Sequence, residues 1–201
     1  LKEQTQTLYV NVHAVAFSKD YPDILTDNSH DVHRIIDNVL QDMEIITQQI
    51  EANQVILENV ICRGEGENMI KAIIEPDMLS TVVQQTGCGF LLDTAHAQMT
   101  SMCLDLDVYD YISKLPMHQL KELHITGVQV DHSDRLRDSM PMTDQDWELA
   151  AWVIQQMKHG VFPEPWVTPF EYGGVGPKFE WRSQEEVLAK QIPLLYDLLN
   201  S

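Results

Sequence analysis

Positive charge is scarce in this chain of 201 residues: 13 Lys and Arg stand against 31 Asp and Glu, a formal net charge of -18. An acidic surface repels phosphate backbones, so a nucleic-acid partner is not expected. Cysteine is scarcer still. Cys62, Cys88 and Cys103 are odd in number, widely spaced and without a CxxC. They are read as reduced thiols in a cytoplasmic protein. No apolar run approaches the roughly 18 residues of a membrane span, and the opening LKEQTQTLYV is not a signal peptide. The G-x-S-x-G elbow, the P-loop, the Rossmann glycine fingerprint and zinc-finger spacings are all missing. Low-complexity and linker-like segments are missing too, so residues 1–201 are taken as one domain.

What the chain does have is alternation. With 44% hydrophobic residues it is composed like a globular protein with a core. LYVNVHAVAF alternates and reads as a strand. In residues 30–52, Val32, Ile35, Ile36, Val39, Met43 and Ile46 recur at helical spacing, with Ser29 as N-cap. VILENVI is the second strand, and a helix runs from Pro76 to a stop at Gly87. GFLLD, apolar throughout, suits a strand buried on both faces. DLDVYDYISKLP is a short helix, LKELHITG the fourth strand, and Thr143 caps a helix that stops at Gly160. PWVTPFEY is the fifth strand and SQEEVLAKQIPLLYDLL the closing helix. Repeated strand–helix units indicate a parallel sheet. A (β/α)8 barrel takes about 250 residues. Five units therefore suggest either a shortened α/β fold or the C-terminal part, about two thirds, of a TIM barrel whose first strands are not in this chain.

The strands share a further property: each ends on or near a metal-binding residue type. His13 lies in the first, Glu58 ends the second, and Asp93 with His96 follows the third. His124 lies in the fourth and Glu171 ends the fifth. Carboxyl ends of parallel strands are where such sheets bind ligands. A carboxylate inside a buried strand needs a cation. With few basic residues available, an internal ion pair is the weaker explanation for Glu58. Asp93 could also cap a helix, and His124 and His13 could be core histidines. Residues 128–147 read as a polar loop above the sheet, where Asp138 or His132 is a further ligand candidate. Arg135 and Arg137 are the anion-binding candidates there, and the loop at Gly173 and Gly174 could approach a substrate closely. His30, His33, His118 and His159 read as surface residues.

LLDTAHA, YDYISKLPMHQLKELHITG, the Asp-rich segment with MPMTDQDW and the strand ending in Glu171 together resemble the multinuclear non-haem iron-dependent oxidative enzymes, members of the xylose-isomerase-like TIM barrels. The resemblance runs from about Leu8 to about Leu199 and is most specific over residues 87–127. It implies metal ligands at His13, Glu58, Asp93, His96, His124, Asp138 and Glu171; His132, Arg135, Arg137, Gly173 and Gly174 are taken as the substrate region. There are departures. The family commonly has two asparagines after the strand-end Asp, where this chain has Ala95 and His96. It has Asp-x-His where this chain has Asp138, Ser139 and Met140, which favours two ions over three.

The resemblance implies iron that activates oxygen at a substrate thiolate, often a cysteine in a ribosomally made peptide, with a peptide-recognition partner protein as a further expectation. Carboxylate and imidazole ligands suit zinc and manganese as well. A zinc or manganese isomerase or hydrolase on the same barrel, related to AP endonucleases and sugar isomerases, is the alternative. A non-enzymatic binding module is the third possibility.

Overall fold

Strands β1 (Val10–His13), β2 (Val55–Glu58), β3 (Gly89–Asp93) and β4 (Leu120–His124) form one parallel sheet in the order β1-β2-β3-β4. The computed structural model describes residues 6–24, 29–62 and 69–201, apart from the side chains of Ser29 and His30. Burial explains the strands: every residue of β2 and of β3 is buried, as their unbroken apolar composition predicts. Helices α1 (Ser29–Thr47) and α2 (Pro76–Thr86) form the parallel crossovers between strands. Ile35, Val39 and Met43 of α1 and Met78, Leu79, Val82 and Val83 of α2 join Leu57, Phe90, Leu92 and Leu123 in the core. Each such side chain contributes about 1.5–3 kcal/mol when fully buried. Helix α2 stops at Gly87, which adopts φ 71° and returns its N–H to Val83.

Three elements differ from the sequence reading. Helix α3 (Thr94–Leu104) follows β3 without a break, ahead of α4 (Val108–Lys114). The segment read as a polar loop is an antiparallel hairpin, β5 (Gly127–Val130) with β6 (Leu136–Met140). Its turn is held by Asp131, whose carboxylate accepts from Ser133 N, Arg135 N and Arg137 Nε. Residues 166–171, expected as a full strand, make only isolated bridges beside β4. Pro169 has no N–H to donate, yet the neighbouring bonds follow a parallel ladder: Trp166 N to Lys121 O, Leu123 N to Val167 O, Ile125 N to Pro169 O and Glu171 N to Ile125 O. Glu171 is thereby carried to the same end of the sheet.

Helix α5 (Asp144–Lys158) begins with a capping box between Thr143 and Asp146, and α6 (Glu185–Asn200) closes the described chain. The architecture is mixed α/β around a parallel sheet, and among the described residues the sheet does not close into a barrel. No helix is long and apolar enough to cross a membrane among those residues. Cysteine was misjudged by the sequence reading. Cys62 and Cys103 are joined by a disulfide, and only Cys88, which is buried, is free.

Candidate metal centre

Parallel register puts the strand-end residues in one row. His13 is paired with Glu58 across β1 and β2, and Asp93 with His124 across β3 and β4. His96 enters from the first turn of α3, because Asp93 ends β3 and caps that helix: Asp93 Oδ1 accepts from His96 N at 2.8 Å. The capping role and the place in the cluster are therefore compatible, since the cap uses one oxygen and leaves the other.

Two groups of donors result, and both contain Glu58. His13, Glu58 and His96 form one; Glu58, Asp93 and His124 form the other; within each, a donor atom from every residue lies within 4.8 Å of the rest. Glu58 Oε2 is 3.1 Å from His13 Nε2 and Glu58 Oε1 is 3.2 Å from His96 Nδ1. His124 Nδ1 is 2.7 Å from Glu171 Oε2 and 4.0 Å from Asp93 Oδ2, while its Nε2 is 2.9 Å from Glu122. Asp138 stands at the rim with Oδ2 at 3.5 Å from His96 Nε2.

Residues 10–165 match the family described as RiPP precursor modification enzyme MbnB/TglH/ChrH. The chain belongs to this family. It is the multinuclear iron-dependent group that the sequence resembles. Among curated relatives, a UPF0276 protein of Bordetella pertussis (strain Tohama I) is 30% identical over 115 residues, covering 53% of this chain and 38% of the relative. One from Anaeromyxobacter sp. (strain Fw109-5) is 26% identical over 107 residues, covering 53% and 36%. One from Caulobacter vibrioides (strain NA1000 / CB15N) is 30% identical over 90 residues, covering 43% and 32%. The chain spans well under half the length of these relatives.

The electrostatics of the cluster are those of carboxylates and imidazoles crowded together. Burial alone would raise the Glu58 carboxyl, but hydrogen bonds with His13 and His96 outweigh it and hold it well below the usual carboxylate range. Asp93 is pushed up to about 7 by burial, against the attraction of His96. Burial would lower both deeper histidines; instead the Asp93 charge with Asp138 and Glu58 raises His96, and Glu171 with Glu122 raises His124 to about 9. The hydrogen bond to Glu58 raises His13. Asp93 Oδ2 is buried and has no hydrogen-bond partner. An orphaned buried carboxylate oxygen, beside imidazoles that would hold protons in default of another cation, fits a metal-binding cluster.

Several contributors carried no sequence signal. Asn59, fully buried, bonds both backbone groups of Asp93: its Nδ2 donates to Asp93 O at 3.0 Å and its Oδ1 accepts from Asp93 N at 2.8 Å. Asn59 O also lies 2.9 Å from His96 Nδ1. Asn11 donates to Glu58 Oε2, and Glu122 bonds His124. Arg182 is buried and places Nη1 3.3 Å from Asp138 O and 3.5 Å from Asp138 Oδ1.

The residues expected in the substrate region line a neighbouring cavity of about 780 Å³. His132 is not in the cluster; its ring meets Trp181 edge-on at 5.4 Å. Arg137 is bound by Asp131 at 2.7 Å. Gly173 and Gly174 line the cavity, but packing accounts for both. Gly173 has φ 90° and a Cβ there would sit 2.6 Å from Ser183 Oγ; one on Gly174 would sit 2.5 Å from Phe179 Cβ. His33, His118 and His159 are exposed, as expected, and the side chain of His30 lies outside the described residues.

Proposed function

We propose that the protein is a non-haem iron oxidative enzyme that acts on a cysteine thiol of a ribosomally made peptide, within a TIM barrel of the xylose-isomerase type. The observation that carries the reading is the pair of donor groups sharing Glu58 at the strand ends, with the unpartnered Oδ2 of Asp93 in the second of them. His13, Glu58 and His96 would hold one ion and Glu58, Asp93 and His124 a second, with Glu171 and Asp138 alongside. Bound iron supplies Lewis acidity and one-electron redox chemistry. The chain's own residues do the rest. Glu58, Asp93 and Glu171 offset the positive charge of the ions. Glu122 orients the His124 ring from its Nε2, and Asn59 O orients the His96 ring from its Nδ1, as partners of metal-binding imidazoles do. Asn11 fixes Glu58. His132, Arg135, Arg137, Gly173 and Gly174 form the wall against which the peptide lies. A peptide-recognition protein is the expected partner.

The test is elemental analysis with a Mössbauer spectrum of protein purified without oxygen, followed by oxygen consumption with cysteine-containing peptides. Iron and thiol-dependent oxygen uptake are expected. Zinc alone, with no oxygen uptake after addition of ferrous iron, would overturn the oxidative reading in favour of a zinc hydrolase or isomerase on the same ligands.

A further inference from the structure

The cavity beside the cluster has the opposite charge to the rest of the molecule. The chain carries a net charge of -18, yet Arg135, Arg137, Lys178 and Arg182, four of its 13 basic residues, line this one space. Among the described residues, the only carboxylates in the lining are Asp131 and Asp138. Each is already matched to an arginine, Asp131 to Arg137 and Asp138 to Arg182. That leaves Arg135 and Lys178, both exposed, with no carboxylate partner among the described residues. Lys178 lies over the Phe179 ring at 5.2 Å, which holds its ammonium at the cavity wall.

The floor is built rather than incidental. The Arg182 guanidinium lies over the Phe179 ring at 5.0 Å and over the Trp181 ring at 5.5 Å, and its Nε is buried without a hydrogen-bond partner. An unsatisfied buried donor of a cation in a cavity wall calls for an acceptor. The same arginine grips Asp138, whose other oxygen faces His96. Cavity and cluster are thus adjacent, separated by one side chain.

We propose that this cavity is an anion subsite that binds a carboxylate of the substrate peptide through Arg135 and Lys178, placing the neighbouring thiol at the cluster. This rests on the peptide-modifying reading above and names what that peptide must carry. Charge-assisted bonds to a guanidinium are among the stronger polar contacts, and an acidic surface around the cavity steers an anion only to this spot. The carboxylate can belong to an acidic side chain or to the peptide's own C-terminus. Arg137 is excluded from the role, because Asp131 already uses its Nε.

The experiment is a calorimetric titration with three acetylated probes: Gly-Cys-Gly-Asp-Gly amide, Gly-Cys-Gly-Gly free acid, and the neutral Gly-Cys-Gly-Asn-Gly amide. At least one anionic probe is expected to bind about ten-fold tighter than the neutral one, a difference of about 1.4 kcal/mol. Which of the two does so identifies the source of the carboxylate. The preference should shrink with added salt and vanish in R135Q/K178Q, while circular dichroism and metal content stay unchanged. Equal affinity for all three probes, no measurable binding of either anionic probe, or a preference that survives in R135Q/K178Q would overturn the proposal. Each titration is repeated after chelation. A charge preference in protein that takes up no transition metal, either as purified without oxygen or after addition of ferrous iron, would leave the subsite standing and remove the metal reading; bound metal without a charge preference would do the reverse.

Discussion

Asn59→Ala removes no proposed ligand, yet it should damage the centre more than most substitutions at the surface. The Asn59 side chain is fully buried and bonds both the N–H and the C=O of Asp93, at 2.8 and 3.0 Å. Alanine strips the buried Asp93 N–H of its partner, while Asp93 O, at the N-cap of α3, keeps the first turn of that helix as a donor. The expected loss is about 1–3 kcal/mol, toward the lower end if a water enters the space. For a chain of this size, 1 kcal/mol moves Tm by about 2–4 °C, so the shift should be a few degrees at least. The same bonds hold Asp93 Oδ1 where it caps α3 and so fix the start of the helix that carries His96. Metal affinity should fall with stability. The assays are urea unfolding of the chelated protein and a metal titration of the same sample. A stability loss below about 0.5 kcal/mol together with unchanged metal affinity would refute the claim that Asn59 positions Asp93.

Asp93→Asn should abolish occupancy of the group formed with Glu58 and His124 while leaving the chelated protein as stable or more stable above pH 7, since it removes a buried carboxylate whose pKa is pushed up to about 7; calorimetry beside metal analysis checks both parts. The metal-free protein should lose stability as pH rises: His124 has its folded pKa raised to about 9 from 6.5, so its contribution is full below 6.5 and lost through 9, at up to about 1.4 kcal/mol per pH unit. Metal affinity should rise over the same window, because imidazole must shed its proton to bind, and a pH series of unfolding and metal titrations reads both. Cys103→Ser opens a link spanning 41 residues in sequence, which on chain entropy is worth up to about 4 kcal/mol; unfolding with and without reductant should show the difference in the parent and none in the variant.

The strand-end row was legible because it rests on local rules. VILE and GFLLD are apolar on both faces and end in a carboxylate, so burial, strand type and functional residue coincide in a few positions. Gly87 and Thr143 marked helix ends for equally local reasons. Helix α3 was legible only at its start, where Asp93 could be read as a cap: residues 97–101 are all buried although Gln98, Thr100 and Ser101 are polar, so apolar and polar residues do not separate into two faces at helical period. The β5–β6 hairpin hid for the opposite reason. It is polar, half-exposed and turned by the Asp131 side chain rather than by an Asn-Gly pair. The Cys62–Cys103 bond, the Asn59 bridge between β2 and β3, and the reach of Arg182 to Asp138 are tertiary facts. Sequence separations of 41, 34 and 44 residues leave no local trace of them.

Glu58→Ala tests the central claim most directly, because Glu58 belongs to both donor groups. The measurement is metal content per chain, by elemental analysis, in parent and variant protein purified side by side without oxygen. The account predicts iron bound by the parent and loss of both ions from the variant, with circular dichroism retained. Unchanged metal content in a folded variant would contradict it.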